Sequence, residues 1–206
     1  MPRPKTLSDA EVLVAANRLL HEHGPEALTF GRLAHACGLS ASTLVQRFGT
    51  KTGLVQAALL HAWDGLDAKT AQLAAEAPRT PAGALQILVA LSRDYGGIES
   101  YAEGLLILRE DLRDPVLRAR GAVWKRALSG ALDACFAQTP APPGTGLMLA
   151  TQWQGSLLWW SFDPQGPVEG FVEESLQRVV SAIITPDRGV LQERLPMAPR
   201  RAGQPP

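Results

Sequence analysis

The stretch from Thr29 to Leu54 constrains the fold of this 206-residue chain more than any other part of it. It contains two short apolar patterns of helical period separated by Gly38, and a glycine can adopt the left-handed backbone that ends a helix. Ser40 follows as a good N-cap for a second helix, which the pattern predicts over Ala41–Phe48. Two short helices joined by a tight turn are typical of a helix-turn-helix that binds DNA.

The two faces of the second predicted helix differ in chemistry. Leu44 and Phe48 stand four residues apart and face the first helix. In a major groove Gln46 can bridge N6 and N7 of adenine, and Arg47 can bridge O6 and N7 of guanine, each giving about 1–3 kcal/mol of discrimination. Both a base and a phosphate remain open as partners of Arg47. The polar face as a whole carries Ser42, Thr43, Gln46 and Arg47.

The charge distribution adds only a little support for DNA binding. The whole chain has 20 basic and 20 acidic side chains, so its formal net charge is zero. Residues 1–55 hold six Lys and Arg against four Asp and Glu, a net charge of +2, and the remainder carries −2. The sign suits contact with DNA at the N-terminal end. Binding would therefore depend on a few contacts and on helix ends.

Helical patterns continue along the chain, and no segment shows the period of two that a half-buried strand requires. A first helix is predicted between the N-cap Ser8 and the stop at Gly24-Pro25, where it would brace the two short helices. Further helices are predicted at 51–75, 81–95, 98–112, 115–137, 147–162 and 168–184. The sequence thus predicts an all-α fold of about nine helices.

One run of residues, with a few positions after it, carries a family pattern: Leu33-Ala34-x-Ala36-Cys37-Gly38-Leu39-Ser40, then Thr43-Leu44, Phe48, Lys51 and Leu54. This pattern resembles the N-terminal DNA-binding domain of the TetR-type transcriptional repressors. Beyond that domain the resemblance lies in length, helical pattern and two apolar helices at the end. Three positions depart from the family, which often has Gly at Ser42, Tyr at Val45 and an aromatic residue at Arg47.

The resemblance implies a homodimer that binds double-stranded DNA at a palindromic operator and releases it when a small-molecule effector binds. The N-terminal three-helix helix-turn-helix domain would cover 1–52, and a larger helical ligand-binding and dimerisation domain would cover 53–185. Thr29 and Lys51 would contact phosphates. The full predicted DNA surface comprises Thr29, Arg32, Ser40, Ser42, Thr43, Gln46, Arg47 and Lys51.

The two ends of the chain receive predictions of their own. Arg3 and Lys5 belong either to a frayed terminus or to an arm that touches DNA. Residues 186–206 are rich in Pro, Arg and Gly, and this composition predicts a disordered tail.

Large aromatic residues are concentrated in the second domain. Such rings either fill a core or line a pocket for an apolar ligand. We predict a ligand cavity among the middle helices, in which Arg93 or Arg109 meets a polar group of the ligand. The predicted ligand-binding residues are Trp63, Tyr101, Leu105, Leu108, Arg109, Trp124, Leu128 and Trp153.

The last two predicted helices carry more apolar side chains than one side of a core requires. This excess predicts a dimer interface between two copies of the chain. The residues assigned to it are Leu157, Trp160, Phe171, Val172, Leu176, Val179 and Ile183.

Other classes of function find little support in the sequence. Cys37 and Cys135 lie far apart in apolar patterns, and His21 and His23 diverge on a helix, so no metal site is predicted. No nucleophile–base set indicates an enzyme, and no cofactor is predicted. No apolar run approaches the length of a membrane span. We expect a bacterial cytoplasmic protein that is associated with the nucleoid when bound to DNA.

The favoured interpretation is a homodimeric repressor that a small, largely apolar ligand releases from its operator. Two alternatives remain open at this stage. One is a constitutive DNA-binding regulator without an effector. The other is a helical ligand-binding protein whose head no longer binds DNA.

Overall fold

A computed structural model describes residues 7–184 of the chain. Arg3, Lys5 and the predicted tail at 186–206 lie outside the described residues. Within residues 7–184 the fold has nine α-helices and no strand, as predicted. No helix in this range is long and apolar enough to cross a membrane.

Three short helices form the N-terminal head: α1 (Asp9–His23), α2 (Phe30–Cys37) and α3 (Ala41–Phe48). Each begins at a residue whose side chain accepts a backbone N–H, namely Ser8, Thr29 and Ser40. Ser8 and Glu11 form a reciprocal capping box. Gly38 ends α2 in the left-handed region, with φ of 66°. The predicted helix-turn-helix and its caps are confirmed.

Six further helices form the body: α4 (Lys51–Glu76), α5 (Pro81–Ser92), α6 (Ile98–Arg113), α7 (Pro115–Ala134), α8 (Thr145–Phe162) and α9 (Val168–Ile184). Short 3-10 turns occur at Pro25–Ala27 and Arg93–Tyr95. The predicted bounds of α9 are confirmed, while α8 begins two residues earlier than predicted. It does so because the Gly146 N–H donates to the Asp133 carboxylate at 2.7 Å, which ties the first turn of α8 to α7.

The interior contains two apolar clusters. The head cluster is built from aliphatic side chains of α1 to α4, and it also takes in Ile107 of α6 and Leu117 of α7. The body cluster joins α5, α7, α8 and α9 and contains the buried rings of Tyr101, Trp153 and Trp160. Each fully buried leucine contributes about 1.5–3 kcal/mol, so both clusters hold their helices firmly. The head is therefore packed directly on the body through α4, α6 and α7.

Candidate DNA-binding surface and its connection to the body

The outer face of α3 is open to solvent. Leu44 is fully buried against the head cluster, which fixes the rotation of α3 about its own axis. Ser42 and Gln46 are then exposed, and Val45 between them is 43% exposed. A short polar helix face in this position has the form of a recognition helix that enters a major groove.

Hydroxyl groups at the start of α3 form a small cluster. The Ser40 Oγ accepts the backbone N–H of Thr43 at 3.1 Å and lies 2.8 Å from the hydroxyls of both Ser42 and Thr43. Ser40 is thus occupied in capping the helix. The exposed Ser42 hydroxyl remains in contact with solvent, where it can donate to an acceptor or accept from a donor.

In this structure Arg47, which was predicted to contact a base or a phosphate, contacts another part of the head. Its Nη1 donates to the Leu7 carbonyl at 2.8 Å and lies 3.3 Å from the Asp9 carboxylate, and only 22% of the side chain is exposed. In this arrangement the guanidinium braces the end of α3 against the start of α1. The Nη1 atom can donate to guanine or phosphate only after it leaves Leu7 and Asp9.

The remaining predicted DNA contacts lie on the exposed surface of the head. Thr29 caps α2 by accepting the Arg32 N–H at 3.2 Å, and both residues are exposed. The Lys51 Nζ lies 3.1 Å from the carboxylate of Glu26, in an exposed pair. Such a pair contributes at most about 1 kcal/mol, so Lys51 can exchange Glu26 for a phosphate at little cost.

A row of polar contacts ties α4 to the end of α6 and to α7, and we call it the α4 clamp. Its α4 residues share one face of the helix: Gln56, Trp63, Asp64, Asp67 and Thr70. Gln56 donates to Asp114 at 2.7 Å and the Trp63 indole donates to Asp111 at 3.0 Å. The Trp124 indole of α7 donates to Thr70 at 3.0 Å. The clamp fixes the direction in which α4 leaves the head.

Arg120 provides the charged part of the clamp. Its Nη2 lies 3.0 Å from Asp64 and also binds Asp67. The hydrogen bonds that Arg120 donates to these two carboxylates, to Asp67 first, raise the pKa of Arg120 above its ordinary value. Burial raises the pKa of Asp111 even though Trp63 donates to it, whereas the bond from Gln56 lowers the pKa of Asp114. The folded chain therefore disfavours the charged form of Asp111 and favours the charged form of Asp114.

Five rings form a continuous row from α4 into the body. Ring centroids are separated by 5.8 Å for Trp63–Trp124, 6.4 Å for Trp124–Trp153, 6.3 Å for Trp153–Tyr95 and 5.6 Å for Tyr95–Tyr101. The Trp153 indole donates to the buried Ser92 hydroxyl at 2.8 Å. Burial raises the pKa of Tyr95 to about 12. The rings pack against each other and fill the space between the helices.

The eight residues of the predicted ligand cavity fall into three groups by exposure, and their role in ligand binding stays a prediction. Leu105, Leu108 and Arg109 lie on the exposed side of α6, while Tyr101, Leu128 and Trp153 are buried in the core. Trp63 and Trp124 are half-buried. Two cavities of about 490 Å³ and 370 Å³ lie elsewhere, against α5 and in the head, and none of the eight residues lines either. The five rings of the aromatic row occupy the region where the cavity was predicted, because each ring packs against an aromatic neighbour there.

Four of the seven residues of the predicted dimer interface are buried within one chain. Leu157, Trp160, Val172 and Leu176 are at most 3% exposed, because α8 and α9 pack these side chains into the body of one chain. Phe171, Val179 and Ile183 are half-buried.

The opposite face of α8, which sequence reasoning missed, carries the exposed apolar surface. Trp159 is 68% exposed and Phe162 is 75% exposed, with their ring centroids 5.9 Å apart. We call this surface the α8 outer face: Leu147, Met148, Leu158, Trp159 and Phe162. Its signal in the sequence is that α8 is apolar on two sides at once.

Cysteine and metal chemistry add no further site in the described part of the chain. Cys37 and Cys135 are free thiols, and burial raises the pKa of each. Among residues 7–184 no group of three or more His, Cys, Asp and Glu side chains could hold a metal ion.

The fold and the α3 surface together define a class: a helix-turn-helix DNA-binding regulator with a helical body. Residues 12–58 match the family model for bacterial regulatory proteins of the tetR family. The transcriptional regulator BetI of Burkholderia mallei (strain NCTC 10229) is 29% identical over 132 residues, which are 63% of this chain and 68% of that protein. The head of this chain therefore carries the DNA-binding domain of the tetR family of bacterial regulatory proteins, and the chain as a whole is similar to TetR-family transcriptional regulators.

Solved structures share the whole fold at low sequence identity. A TetR-family regulator from Mesorhizobium loti MAFF303099 superposes with a TM-score of 0.63 at 18% identity, covering 85% of this chain and 98% of that one. The multidrug binding protein EbrR complexed with imidazole superposes with a TM-score of 0.59 at 21% identity, covering 87% and 96%. The fold of this chain is thus shared with these two proteins.

Proposed function

We propose that the protein is a homodimeric repressor that binds a palindromic operator and leaves it when a small, largely apolar ligand binds the body. The observation that carries the proposal is the solvent-open polar face of α3, on a head whose next helix is held by the α4 clamp. In this scheme 1–52 is the DNA-binding unit and 53–185 the effector and dimer unit. The protein acts in the bacterial cytoplasm at the nucleoid.

The proposed DNA contacts divide into two groups. Ser42, Thr43 and Gln46 face base edges, and Gln46 supplies a bidentate contact to adenine. Phosphate contacts come from the helix ends that frame α3: Thr29, Arg32, Ser40 and Lys51. Arg47 joins them once DNA draws it away from Leu7 and Asp9, so its contribution is reduced by the loss of those two contacts.

The α8 outer face supports a dimer. An exposed apolar surface of five large side chains on one helix is unfavourable in water, and a second copy of the chain can cover it symmetrically. Two heads in such a dimer read half-sites whose centres lie about 34–36 Å apart or a multiple of that spacing. Phe162→Glu should turn the dimer into a helical monomer in analytical ultracentrifugation, whereas Leu105→Glu on α6 should leave the dimer intact.

The α4 clamp supports ligand response. A ligand that prefers one body conformation shifts the population towards it, and operator affinity falls if α4 then points the two heads apart. The structurally similar EbrR is a multidrug binding protein, with structures in complex with imidazole and with proflavin. We infer by analogy that the body of this chain also accepts an organic ligand.

A gel shift tests the DNA-binding part of the proposal. Duplexes selected from a random pool by the full chain should converge on a palindrome. Gln46→Ala should weaken binding to that palindrome by roughly tenfold or more, because a bidentate base contact is lost, with little effect on unrelated DNA. Gln138→Ala, an exposed glutamine in the body, serves as the matched control. Selection without a consensus, or equal binding by both variants, would contradict the proposal.

A further inference from the structure

A groove lies at the end of α4 that is farthest from the head. It has a volume of about 490 Å³, is open on one side, and is bordered by the last turns of α4, one face of α5 and one side of α9. Leu73, Leu85 and Val89 give it an apolar wall. Its volume is within the range of about 300–1,000 Å³ that is usual for small-molecule sites.

The openings of this groove carry more negative than positive charge. Glu76 of α4 and Glu173 of α9 are exposed carboxylates, and Arg93 is the single cation that the described residues contribute to the lining. Each carboxylate accepts one bond from a glutamine of its own helix, at 2.9 Å for Glu76 and 3.1 Å for Glu173. These neutral donors do not cancel the charge of either carboxylate, and two carboxylates against Arg93 leave the lining net negative, so a cation is the complementary partner.

The groove is joined to the head through a single helix. The 26 residues of α4 extend for about 39 Å, with Lys51 at the head and Glu76 at the groove. The α4 clamp holds this helix to α6 and α7 between the two ends. A molecule bound beside Glu76 therefore contacts the same helix that begins at the head with Lys51.

We propose that this groove is a binding site for amphiphilic amines, with the aliphatic or aromatic part on Leu73, Leu85 and Val89 and the ammonium group at Glu76 and Glu173. The site is distinct from the aromatic row. The effect of its occupancy on DNA rests on the function proposed above; the binding itself does not.

Isothermal titration with octylammonium and octanoate, which share one chain length and differ in head charge, tests the site. The full chain should bind octylammonium saturably and octanoate much more weakly. The double variant Glu76→Gln, Glu173→Gln should bind octylammonium about five- to tenfold more weakly, because two partly screened ion pairs are lost. Glu99→Gln, an exposed carboxylate on α6, should bind as the unaltered chain does.

A second variant tests the location independently of charge. Ala82→Trp places a large ring at an exposed position in the groove lining and should block octylammonium, while Ala119→Trp on the exposed side of α7 should not. Equal affinity for the two head groups, or unchanged binding in both groove variants, would overturn the site. A gel shift with octylammonium then separates the two proposals: binding without release of DNA refutes the release mechanism and leaves the site standing.

Discussion

The head and the body are stabilised by different kinds of interior. The head cluster is almost entirely aliphatic, with leucines such as Leu33 and Leu44 that have no exposed surface. The body cluster also contains rings, together with hydroxyl groups such as those of Ser92 and Ser156 that are at most 2% exposed. An aliphatic core needs only volume and helical period, whereas a core with indole N–H groups must also place their acceptors.

Helix starts show the same contrast. All three head helices and α4 begin at a Ser or Thr whose side chain caps the first turn. In the body, Thr80 and Asp114 also cap α5 and α7, whereas α6 and α8 begin after Gly97 and Gly144 without a side-chain cap. Helices of eight residues bury little surface and rely on caps, each worth about 0.5–2 kcal/mol. Longer body helices obtain their stability from packing.

The largest expected effect comes from a cavity in the head. Leu44→Ala removes a fully buried side chain of α3 and should lower the free energy of unfolding by about 2–5 kcal/mol. Urea unfolding followed by circular dichroism measures the loss. Every tryptophan lies at position 63 or later, so tryptophan fluorescence reports on α4 and the body and not on α1 to α3.

This variant also tests how far the two regions are separable. If the head unfolds alone, helical signal is lost at lower urea concentration than the tryptophan signal. Coincident transitions would show that packing through Ile107 and Leu117 joins head and body into one cooperative unit.

A smaller effect is expected from an unpaired polar group in the body. Ser92→Ala leaves the indole N–H of Trp153 buried without its acceptor and should cost about 1–3 kcal/mol. In a Trp153→Phe background the same change should cost much less, since no N–H remains to be satisfied. A double-mutant cycle in urea provides the coupling energy. Equal costs in both backgrounds would mean that the hydrogen bond contributes nothing specific.

The difference between the aliphatic head and the aromatic, partly polar body also determines how much of each could be predicted from the sequence. In the head, Gly38, Ser40 and the spacing of Leu44 and Phe48 each determine local structure, so the turn, the caps and α3 were predicted residue by residue. The contacts of Arg47 could not be, because Leu7 and Asp9 lie on another helix and only the packed fold brings them near.

In the body the existence of helices was predictable, and the faces they bury were not. Because α8 is apolar on two sides, its pattern does not say which side meets the core. The side with Leu157 and Trp160, to which the sequence assigned the dimer interface, packs into the core of one chain. The aromatic residues posed the same problem, since a ring that lines a cavity and a ring that fills it have the same spacing. Only the positions of neighbouring rings and of Ser92 decide between them.

The smallest expected effect lies where the two regions meet, and its size depends on pH. Burial raises the pKa of Asp111 above its ordinary value of 3.8, so the folded chain binds its proton more tightly than the unfolded chain does. Stability from this group therefore falls as pH rises from that value through the raised pKa, and the charged carboxylate is a cost at neutral pH. Asp111→Asn keeps an oxygen for the Trp63 N–H and should make the chain more stable there.

Thermal unfolding of Asp111→Asn across a pH series should show a gain at neutral pH that shrinks as pH falls through the raised pKa and vanishes below 3.8. Asp114→Asn is the matched control of opposite sign. Because the bond from Gln56 lowers the pKa of Asp114, this carboxylate stabilises the fold above its ordinary value, and that advantage is lost as pH falls through the lowered pKa. If both variants lose stability at neutral pH, then the charge of Asp111 strengthens its bond with Trp63 by more than its burial costs, and the clamp joins head to body more tightly than the raised pKa implies.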